Sequence, residues 1–342
     1  MVELNGKKIL VTFLMHLGDL TLTTPFIHAL RKAAPDAHIT MLVDEKLKDV
    51  VLFNPYLDEV VTIDKKGRDN SILSLWACSR HLSKLDFDVL INLHPNERCS
   101  FIDAMTSVRL RTGTTHKIFK WFWDVFTPLD RSMHAADMYL DVLQQLGVQD
   151  LSNNGLEIFP GEEHFLEAEL FWQEQNITDQ DKLIGFNIGS AVPTKRWPPE
   201  RFAEVADIFA AKGYRTVFFG GPMDEEMVAE ATGYMQTRPI IATGHFAIGG
   251  LAAAMRRCCL IITNDSGPMH VAISQKVPII AMYGPSNPKL YGPYTKDAVI
   301  VTAQPPCQGC ADGMKHSCDD LQCMSRMTVE QVVAAAEKML EK

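Results

Sequence analysis

Residues 260–270 read Leu-Ile-Ile-Thr-Asn-Asp-Ser-Gly-Pro-Met-His. The apolar run at the start predicts a buried strand, and Pro268 indicates that a helix begins there after a tight turn. A strand, a turn and a helix N-terminus place free backbone N–H groups and the positive end of a helix dipole at one point. Such a point binds phosphate, and Asp265, Ser266 and His270 supply polar side chains beside it. The stretch therefore predicts an α/β fold that binds a phosphate-bearing nucleotide ligand.

Strand and helix patterns alternate along the whole chain. Predicted strands span 8–13, 38–43, 59–64, 88–93 and 108–112, then 183–188, 215–219, 239–242, 260–263, 277–283 and 298–302. Predicted helices span 23–33, 71–84 and 134–146, then 199–212, 224–236, 247–256 and 269–274. This alternation is typical of parallel sheets with helices on both faces. The fold class is therefore α/β, with two Rossmann-like, doubly wound domains that we expect to face a central cleft.

Residues 149–155 are polar and turn-rich, and residues 161–180 are charged with a helical pattern. A domain boundary is therefore expected between residues 150 and 180, and we predict domains of 1–165 and 166–342. The last helix should begin at Thr328, because Gln331 follows three residues later as in a capping box. The sequence leaves open whether this helix packs across the first domain.

Composition excludes several classes of protein. Of the 342 residues, 46% are hydrophobic and 22% charged, as in a globular protein with real cores. No apolar run reaches the roughly 18 residues of a membrane span, and the polar start of the chain predicts no secretory signal. The net charge of −9 argues against nucleic-acid binding. The eight cysteines form no secreted disulfide pattern, so we expect a cytoplasmic protein.

The first strand runs into a loop that contains Asp19. A carboxylate at the carboxyl end of a strand can accept a proton from an attacking hydroxyl group. The alternative is that Asp19 only caps the following helix. Thr24 and Pro25 form a competing N-cap and N1 pair, which would release Asp19 from that role.

In the second half, three more strand ends carry loops that could bind phosphate. Ser190 and Lys195 follow one strand, Asp224 starts the helix after the next, and residues 284–288 form a glycine- and proline-rich loop. Lys195 could reach a phosphate or be an ordinary surface cation, and Asp224 could bind ribose hydroxyls or stabilise its helix. Several such loops at the strand ends of one sheet favour the nucleotide hypothesis over turn chemistry alone.

Four motifs together resemble those of the heptosyltransferases, ADP-heptose:lipopolysaccharide glycosyltransferases with the GT-B fold. They are Gly18-Asp19 with Thr23-Thr24-Pro25, Lys195-Arg196-Trp197-Pro198, Asn264-Asp265-Ser266-Gly267-Pro268-Met269-His270 and Gly284-Pro285-Ser286-Asn287-Pro288. The resemblance covers nearly the whole chain in the right order. It implies that the first domain binds the acceptor and the second the nucleotide-sugar donor.

The resemblance also implies roles for single residues. Asp19 is then the general base that deprotonates an acceptor sugar hydroxyl, and Lys195 contacts the donor phosphates. The other implied donor contacts are Ser190 and Thr194 near the phosphates, Asp224 at the ribose, Phe246 at the adenine, and Asp265, Ser266, Gly267 and His270 at the pyrophosphate and sugar. The implied reaction inverts the anomeric carbon. No Asp-x-Asp motif lies beside a donor strand, so we expect no catalytic metal and no cofactor besides the substrate ADP-heptose.

The implied acceptor is an anionic inner-core lipopolysaccharide precursor on the inner leaflet, so peripheral membrane contact is also expected. An acidic protein needs a local basic face for such an acceptor. Candidate contacts are Thr23, Arg68, Arg98 and Arg111. The aromatic triplet 121–123 either touches the lipid surface or belongs to the core.

Four cysteines crowd into the C-terminal region, at Cys307, Cys310, Cys318 and Cys323. Their spacing permits a structural zinc site, reduced structural thiols or a disulfide, and the sequence leaves all three open. Two functional alternatives also remain, namely a GT-B enzyme that uses another nucleotide sugar and a non-catalytic sugar-nucleotide binding protein. Asp19 distinguishes the second, because a protein that only binds needs no catalytic carboxylate.

Overall fold

The computed structural model describes residues 2–303 and 321–341, which divide into two compact units after Phe159. The division predicted after residue 165 would cut through a helix, Glu162–Glu174. That helix packs on a later helix, Ile248–Met255, and therefore belongs to the C-terminal unit.

The N-terminal unit contains one parallel sheet. Its elements are β1 (Lys8–Thr12), α1 (Leu17–Thr21), α2 (Thr24–Ala33), β2 (His38–Asp44), β3 (Glu59–Ile63), α3 (Ile72–Ser83), β4 (Phe87–Asn92), α4 (Glu97–Met105), β5 (Val108–Gly113), β6 (Val125–Phe126) and α5 (Ala135–Gln145). Two 3-10 helices span Glu45–Val50 and Lys117–Phe122. The six strands lie in the order β3-β2-β1-β4-β5-β6. Central β1 is buried on both faces, as expected for a parallel sheet covered by helices on both sides.

The C-terminal unit repeats this plan. Its elements are α6 (Glu162–Glu174), β7 (Leu183–Asn187), α7 (Pro199–Ala211), β8 (Arg215–Phe219), α8 (Glu225–Tyr234), β9 (Ile240–Ile241), α9 (Ile248–Met255), β10 (Cys258–Asn264), α10 (Gly267–Ser274), β11 (Ile279–Met282), α11 (Pro288–Tyr291), β12 (Ala298–Val301), α12 (Gln322–Ser325) and α13 (Val329–Leu340). Short 3-10 helices span Pro193–Lys195 and Pro222–Asp224. The strand order is β9-β8-β7-β10-β11-β12, the same 3-2-1-4-5-6 winding as in the first sheet. The predicted fold class is confirmed.

Thr328 is the N-cap of the last helix and forms the predicted capping box with Gln331. The Gln331 N–H donates to Thr328 Oγ1 at 3.3 Å, and the Thr328 N–H donates to Gln331 Oε1 at 2.9 Å. This helix, α13, packs on α7 and on β10–β12 within its own unit. The reason is that Val332 and Ala336 are buried in the C-terminal core.

One long helix was not predicted. α4 reads Glu-Arg-Cys-Ser-Phe-Ile-Asp-Ala-Met, and its buried side chains include Cys99, Ser100 and Asp103. A helix that buries polar residues shows no apolar stripe in its sequence, so periodicity does not detect it. No helix in the described part of the chain is both long and apolar enough to cross a bilayer.

Candidate active site

Each sheet has a switch point where the chain connections leave in opposite directions, between β1 and β4 in one unit and between β7 and β10 in the other. Loops at the carboxyl ends of such a strand pair diverge and leave room for a ligand. Of the residues predicted to act in catalysis or phosphate binding, Asp19 follows β1, Lys195 follows β7 and Asp265 follows β10.

A buried ion pair lies at the C-terminal switch point. Lys195 Nζ lies 2.7 Å from Asp265 Oδ2, and both side chains are nearly inaccessible to solvent. The Ser286 hydroxyl donates to the same carboxylate oxygen. The loops after β7, β10 and β11 each supply one of these groups, so strand order brings them together. Ser286 was not predicted as a site residue, although the loop that contains it was singled out.

Tyr283 borders this cluster. Burial and the nearby Asp265 carboxylate raise the pKa of the Tyr283 hydroxyl well above its usual value. The hydroxyl donates to the Tyr291 carbonyl at 2.8 Å. The Asp265 carboxylate lies in this low-dielectric surrounding, and the Lys195 ammonium compensates its negative charge.

The N-terminus of α10 adjoins the ion pair. Ser266 occupies the N-cap position, but its side chain does not cap the helix. Instead, Asn187 Nδ2 donates to Ser266 Oγ at 2.8 Å and to Thr263 Oγ1 at 3.0 Å. The dipole of α10 therefore points its positive end, beginning at Gly267, toward the region beside Asp265. A helix N-terminus of this kind can bind phosphate, and the phosphate site predicted from the sequence stays a prediction.

Trp197 and Asn264 hold the loop that contains Lys195. The Trp197 N–H donates to Asn264 Oδ1 at 3.1 Å, and Asn264 Nδ2 donates to the Ile188 carbonyl at 2.7 Å. The fully buried Trp197 indole donates to the Met327 carbonyl at 3.1 Å. These bonds tie the loop after β7 to the end of β10 and to the segment before α13.

The remaining predicted donor residues have varied positions. Ser190 Oγ donates to the Asp265 carbonyl at a long 3.5 Å, and Thr194 and His270 are buried near the same loops. Phe246 packs its ring against Phe171 at 5.0 Å between centroids. Contacts thus join Ser190, Lys195, Asp265 and Ser266 into one cluster, and the adenine contact at Phe246 stays a prediction.

Asp224 stabilises the start of its helical segment, which was the alternative to ribose binding. Its Oδ2 accepts a hydrogen bond from the Gly221 N–H at 2.9 Å at the start of the helical segment. The carboxylate also lies so close to Gly189 that a Cβ there would come within 2.2 Å of Oδ1. Asp224 therefore lies beside the loop after β7, and its ribose contact stays a prediction.

Asp19 lies half-buried in the first turn of α1, directly after the loop that follows β1. The predicted capping pair is shifted by one residue, because Thr23 is the N-cap of α2 and Pro25 is its second residue. The Thr24 hydroxyl donates to the Thr21 carbonyl at 2.8 Å, so it does not cap. Asp19 is thus not the N-cap of α2, the structural alternative considered for it.

Lys65 holds the Asp19 loop in place and was not predicted as a single site residue. Its Nζ donates to the Leu14 carbonyl at 3.1 Å and to the Met15 carbonyl at 2.8 Å, and lies 3.0 Å from Asp44 Oδ2. Both charged side chains are nearly buried. A lysine that bridges a loop and a buried carboxylate rigidifies that loop.

Positive charge collects around the same strand ends. Burial lowers the pKa of His94 to about 4, with further lowering from the charges of Arg131, Lys65 and His16. His94 is therefore neutral at pH 7. The loops after β1, β3, β4 and β6 thus bring three basic groups close enough to influence one imidazole.

Most of the predicted acceptor contacts are engaged in structure. Arg98 donates to the Lys65 carbonyl and, at 2.7 Å, to Asn70 Oδ1. Arg111 donates to the Asp103 carbonyl at 3.1 Å and to the Thr106 carbonyl. Thr23 is buried, and its hydroxyl donates to the Leu20 carbonyl at 2.7 Å. Their acceptor roles stay predictions, but these groups already have protein partners.

Arg68 differs from these three because its side chain is exposed. Its guanidinium lies 3.1 Å from Glu45 and 3.3 Å from Asp69. Such surface pairs contribute little stability and can be exchanged for a ligand.

A carboxyl group is buried behind the N-terminal switch point. Thr12 Oγ1 donates to Asp103 Oδ2 at 2.9 Å, and Asp103 is fully buried. Burial raises the pKa of Asp103 to about 8, against smaller lowering effects from its hydrogen bonds and from Arg111. Asp103 is therefore mostly protonated at neutral pH. Sequence reasoning passed over it, because aspartate in a helix is usually exposed.

The cysteine cluster falls mostly outside the described residues. Cys307, Cys310 and Cys318 lie there, whereas Cys323 is buried in the C-terminal core. Among the described residues, no group of three or more His, Cys, Asp or Glu side chains is placed to hold a metal ion. The zinc hypothesis stays a prediction.

Comparison with known proteins agrees with the motifs. The family model of glycosyltransferase family 9 (heptosyltransferase) matches residues 75–318. The chain is 25% identical to lipopolysaccharide heptosyltransferase 3 of Escherichia coli K12, over 94% of this chain and 95% of that protein. It is similar to the crystal structure of a family 9 glycosyl transferase from Veillonella parvula DSM 2008, with 53% identity, a TM-score of 0.95 and 99% of both chains covered.

A second solved structure shows the shared fold at lower identity. The E. coli ADP-heptose lps heptosyltransferase II has a TM-score of 0.81 at 21% identity, with 98% of each chain covered. The resemblance predicted from the sequence motifs is thereby confirmed, and the chain belongs to glycosyltransferase family 9, the heptosyltransferases.

Proposed function

We propose that this chain transfers a heptose from ADP-heptose to a sugar in the inner core of a lipopolysaccharide precursor, with inversion at the anomeric carbon. Family membership supports sugar transfer, and the names of the E. coli relatives support the donor and the acceptor class. The observation that carries the proposal is the Lys195–Asp265 pair beside the uncapped N-terminus of α10. Both features sit at the switch point of the C-terminal sheet.

The donor side of this site is suited to a departing diphosphate. Negative charge grows on the diphosphate as its bond to the anomeric carbon breaks. The Lys195 ammonium and the positive end of the α10 dipole stabilise that charge, and burial strengthens both effects. The Asp265 carboxylate, itself bound by the Ser286 hydroxyl, holds the ammonium in place until the donor arrives. These fixed groups supply the positive charge, so the proposed reaction needs no metal ion.

The acceptor side depends on Asp19. As the acceptor hydroxyl attacks the anomeric carbon from the face opposite the diphosphate, its proton passes to the Asp19 carboxylate. A new C–O bond forms, the bond to ADP breaks, and the configuration inverts. Lys65 holds the backbone just before Asp19, which keeps the carboxylate in a defined position. The precursor lies on the inner leaflet, so the reaction takes place on its cytoplasmic side.

The test is acceptor-dependent release of ADP. Wild-type protein with ADP-heptose and a heptose-free inner-core acceptor should release ADP, and Asp19→Asn should be slower by about 10²–10⁴-fold. Asp86→Asn is the matched control, because Asp86 is an exposed aspartate of the same unit with a φ of 53° that asparagine also adopts.

Three results would contradict the proposal. Near-wild-type turnover by Asp19→Asn would remove its role as base. Turnover only with a sugar linked to another nucleotide would refute the ADP-heptose donor. Donor binding without any acceptor-dependent release would show a protein that binds but does not catalyse.

A further inference from the structure

We infer that one exposed face of the N-terminal unit docks on an anionic phospholipid bilayer. This face, called here the aromatic face, consists of the first turns of α3 and the 3-10 helix Lys117–Phe122. Its apolar members are Ile72, Leu73, Trp76, Ile118, Trp121 and Phe122. The inference is independent of the proposed reaction, because docking requires neither donor nor acceptor.

The exposure of these side chains is unusual. Trp121 is 95% exposed, Leu73 79% and Ile72 73%. Single exposed hydrophobic residues are common on soluble proteins, but here three lie on adjacent turns of α3 and three more on adjacent turns of the 3-10 helix. Clusters of this kind mark surfaces that contact a protein or a membrane.

Topology places the two parts of the aromatic face at the same edge of the sheet, each packed on α4. α3 packs on α4, and α4 packs on the 3-10 helix, where the rings of Phe101 and Phe119 lie 6.3 Å apart. The first turn of α3 follows the carboxyl end of β3, and the 3-10 helix follows the carboxyl end of β5. Because all strands of this sheet are parallel, both segments lie at the same edge.

The aromatic triplet is divided between core and surface. Trp123 is buried, and its indole donates to the Thr112 carbonyl at 3.0 Å. Trp121 and Phe122 are exposed. The core interpretation is therefore right for Trp123 and wrong for its two neighbours.

Charge at this face favours a membrane over a protein partner. Lys117 and Lys120 are exposed on the same 3-10 helix, and Arg80 lies over the Trp76 ring at 5.9 Å. Among the described ion pairs, none of these three cations pairs with a carboxylate, although the chain as a whole carries a charge of −9. Lysine is depleted in protein–protein interfaces, whereas aromatic residues beside Lys and Arg are typical of surfaces that lie on bilayers.

The experiment measures binding to vesicles without any substrate. Full-length protein is sedimented with phosphatidylcholine vesicles, with and without phosphatidylglycerol. We expect binding to the anionic vesicles that falls as salt is added. Lys117→Gln/Lys120→Gln should bind about 30-fold more weakly, and Trp121→Ala about 10-fold more weakly.

Matched controls lie in the C-terminal unit. Met223→Ala removes a hydrophobic side chain that is 85% exposed, and Lys296→Gln/Lys338→Gln removes two exposed cations. These controls should bind like wild type. Thermal unfolding of each variant shows whether it is folded.

Failure of wild type to bind anionic vesicles would overturn the inference. So would equal binding by the aromatic-face variants and their controls. A concentration-dependent dimer that Trp121→Ala abolishes, without vesicle binding, would assign the face to a second copy of the chain instead. None of these results depends on whether the sugar-transfer proposal holds.

Discussion

The two units place opposite charges at equivalent positions of the same topology. Asp19 lies on the short helix between β1 and α2, and Lys195 lies on the short 3-10 helix between β7 and α7. The strand before each residue, β1 or β7, is the first strand of its unit and borders the switch point of its sheet. Topology therefore decides where a functional side chain stands, and the loop sequence decides whether it is an acid or a cation.

A second pair of equivalent loops supports the proposal that the anion site lies in the C-terminal unit. α4 follows β4, and Asn96 caps it by accepting a hydrogen bond from the Cys99 N–H at 2.6 Å. α10 follows β10 in the corresponding place, but Ser266 leaves its N-terminus uncapped. A side-chain cap occupies the N–H groups that a phosphate would otherwise use.

The largest expected effect comes from Lys195→Ala. Loss of this cation should lower kcat about 10²–10³-fold, because a fixed charge on the departing diphosphate is removed. The variant also leaves Asp265 buried without its counter-ion, which should cost about 3 kcal/mol of unfolding free energy. ADP-release kinetics and thermal unfolding measure the two effects.

A second variant separates these effects. Lys195→Ala/Asp265→Asn removes both charges and should recover much of the lost stability without recovering turnover. If the double variant regained activity, Lys195 would be a structural counter-ion only. The difference in charge between Asp19 and Lys195, at equivalent positions of the two units, would then have no role in catalysis.

The next effect concerns pH and the N-terminal unit alone. The pKa of Asp103 is about 8 in the folded state and near its ordinary value of 3.8 when unfolded. Between these values the folded state binds more protons, so Asp103 lowers stability as pH rises through this range. Asp103→Asn removes that dependence, and its stability relative to wild type should grow by about 1.4 kcal/mol per pH unit from pH 4 to 8. Denaturant unfolding at several pH values tests this, and a constant difference would show that Asp103 is ionised in the native state.

The smallest effect tests the brace behind Asp19. Lys65→Gln removes the ammonium that joins Asp44 to the Leu14 and Met15 carbonyls, so the Asp19 loop should become mobile. We expect about a 10-fold loss of acceptor-dependent kcat, since small misplacements of reacting groups are costly. Donor binding should not change, because its residues lie in the other unit.

Lys84→Gln is the control for this brace, since Lys84 is an exposed lysine of the same unit. Rescue of Lys65→Gln by adding Asp44→Asn would show that the loss came from the unpaired Asp44 charge. Unchanged kcat in Lys65→Gln would mean that the Asp19 loop holds its conformation without the brace.

Regular elements were predicted well, and irregular ones were not. β8 was predicted at its observed limits, and α7 within one residue, because apolar periodicity and the proline at the start of the helix are local signals. α4 was missed since it buries polar side chains, and the cap of α2 was misplaced by one residue. The first error arises because Asp103 takes a tertiary partner, and the second because the Thr24 hydroxyl donates to the Thr21 carbonyl.

The candidate site shows the same limit. The sequence identified Lys195 and Asp265 separately, but nothing local links two residues 70 positions apart. It also proposed Arg98 and Arg111 as acceptor contacts, and the structure shows them donating to backbone carbonyls. The number and type of basic residues are visible in a sequence, whereas their partners are not.

The amino-acid sequence by itself determined the alternation of strands and helices, the strand-end motifs and the family, because each depends on neighbours along the chain. Tertiary structure alone decided which polar groups meet. Lys195, Asp265 and Ser286 converge because β7, β10 and β11 are adjacent in one parallel sheet, so their carboxyl ends share an edge. Burial at that edge lowers the dielectric constant around Lys195 and Asp265, which strengthens the attraction between their charges beside the α10 dipole.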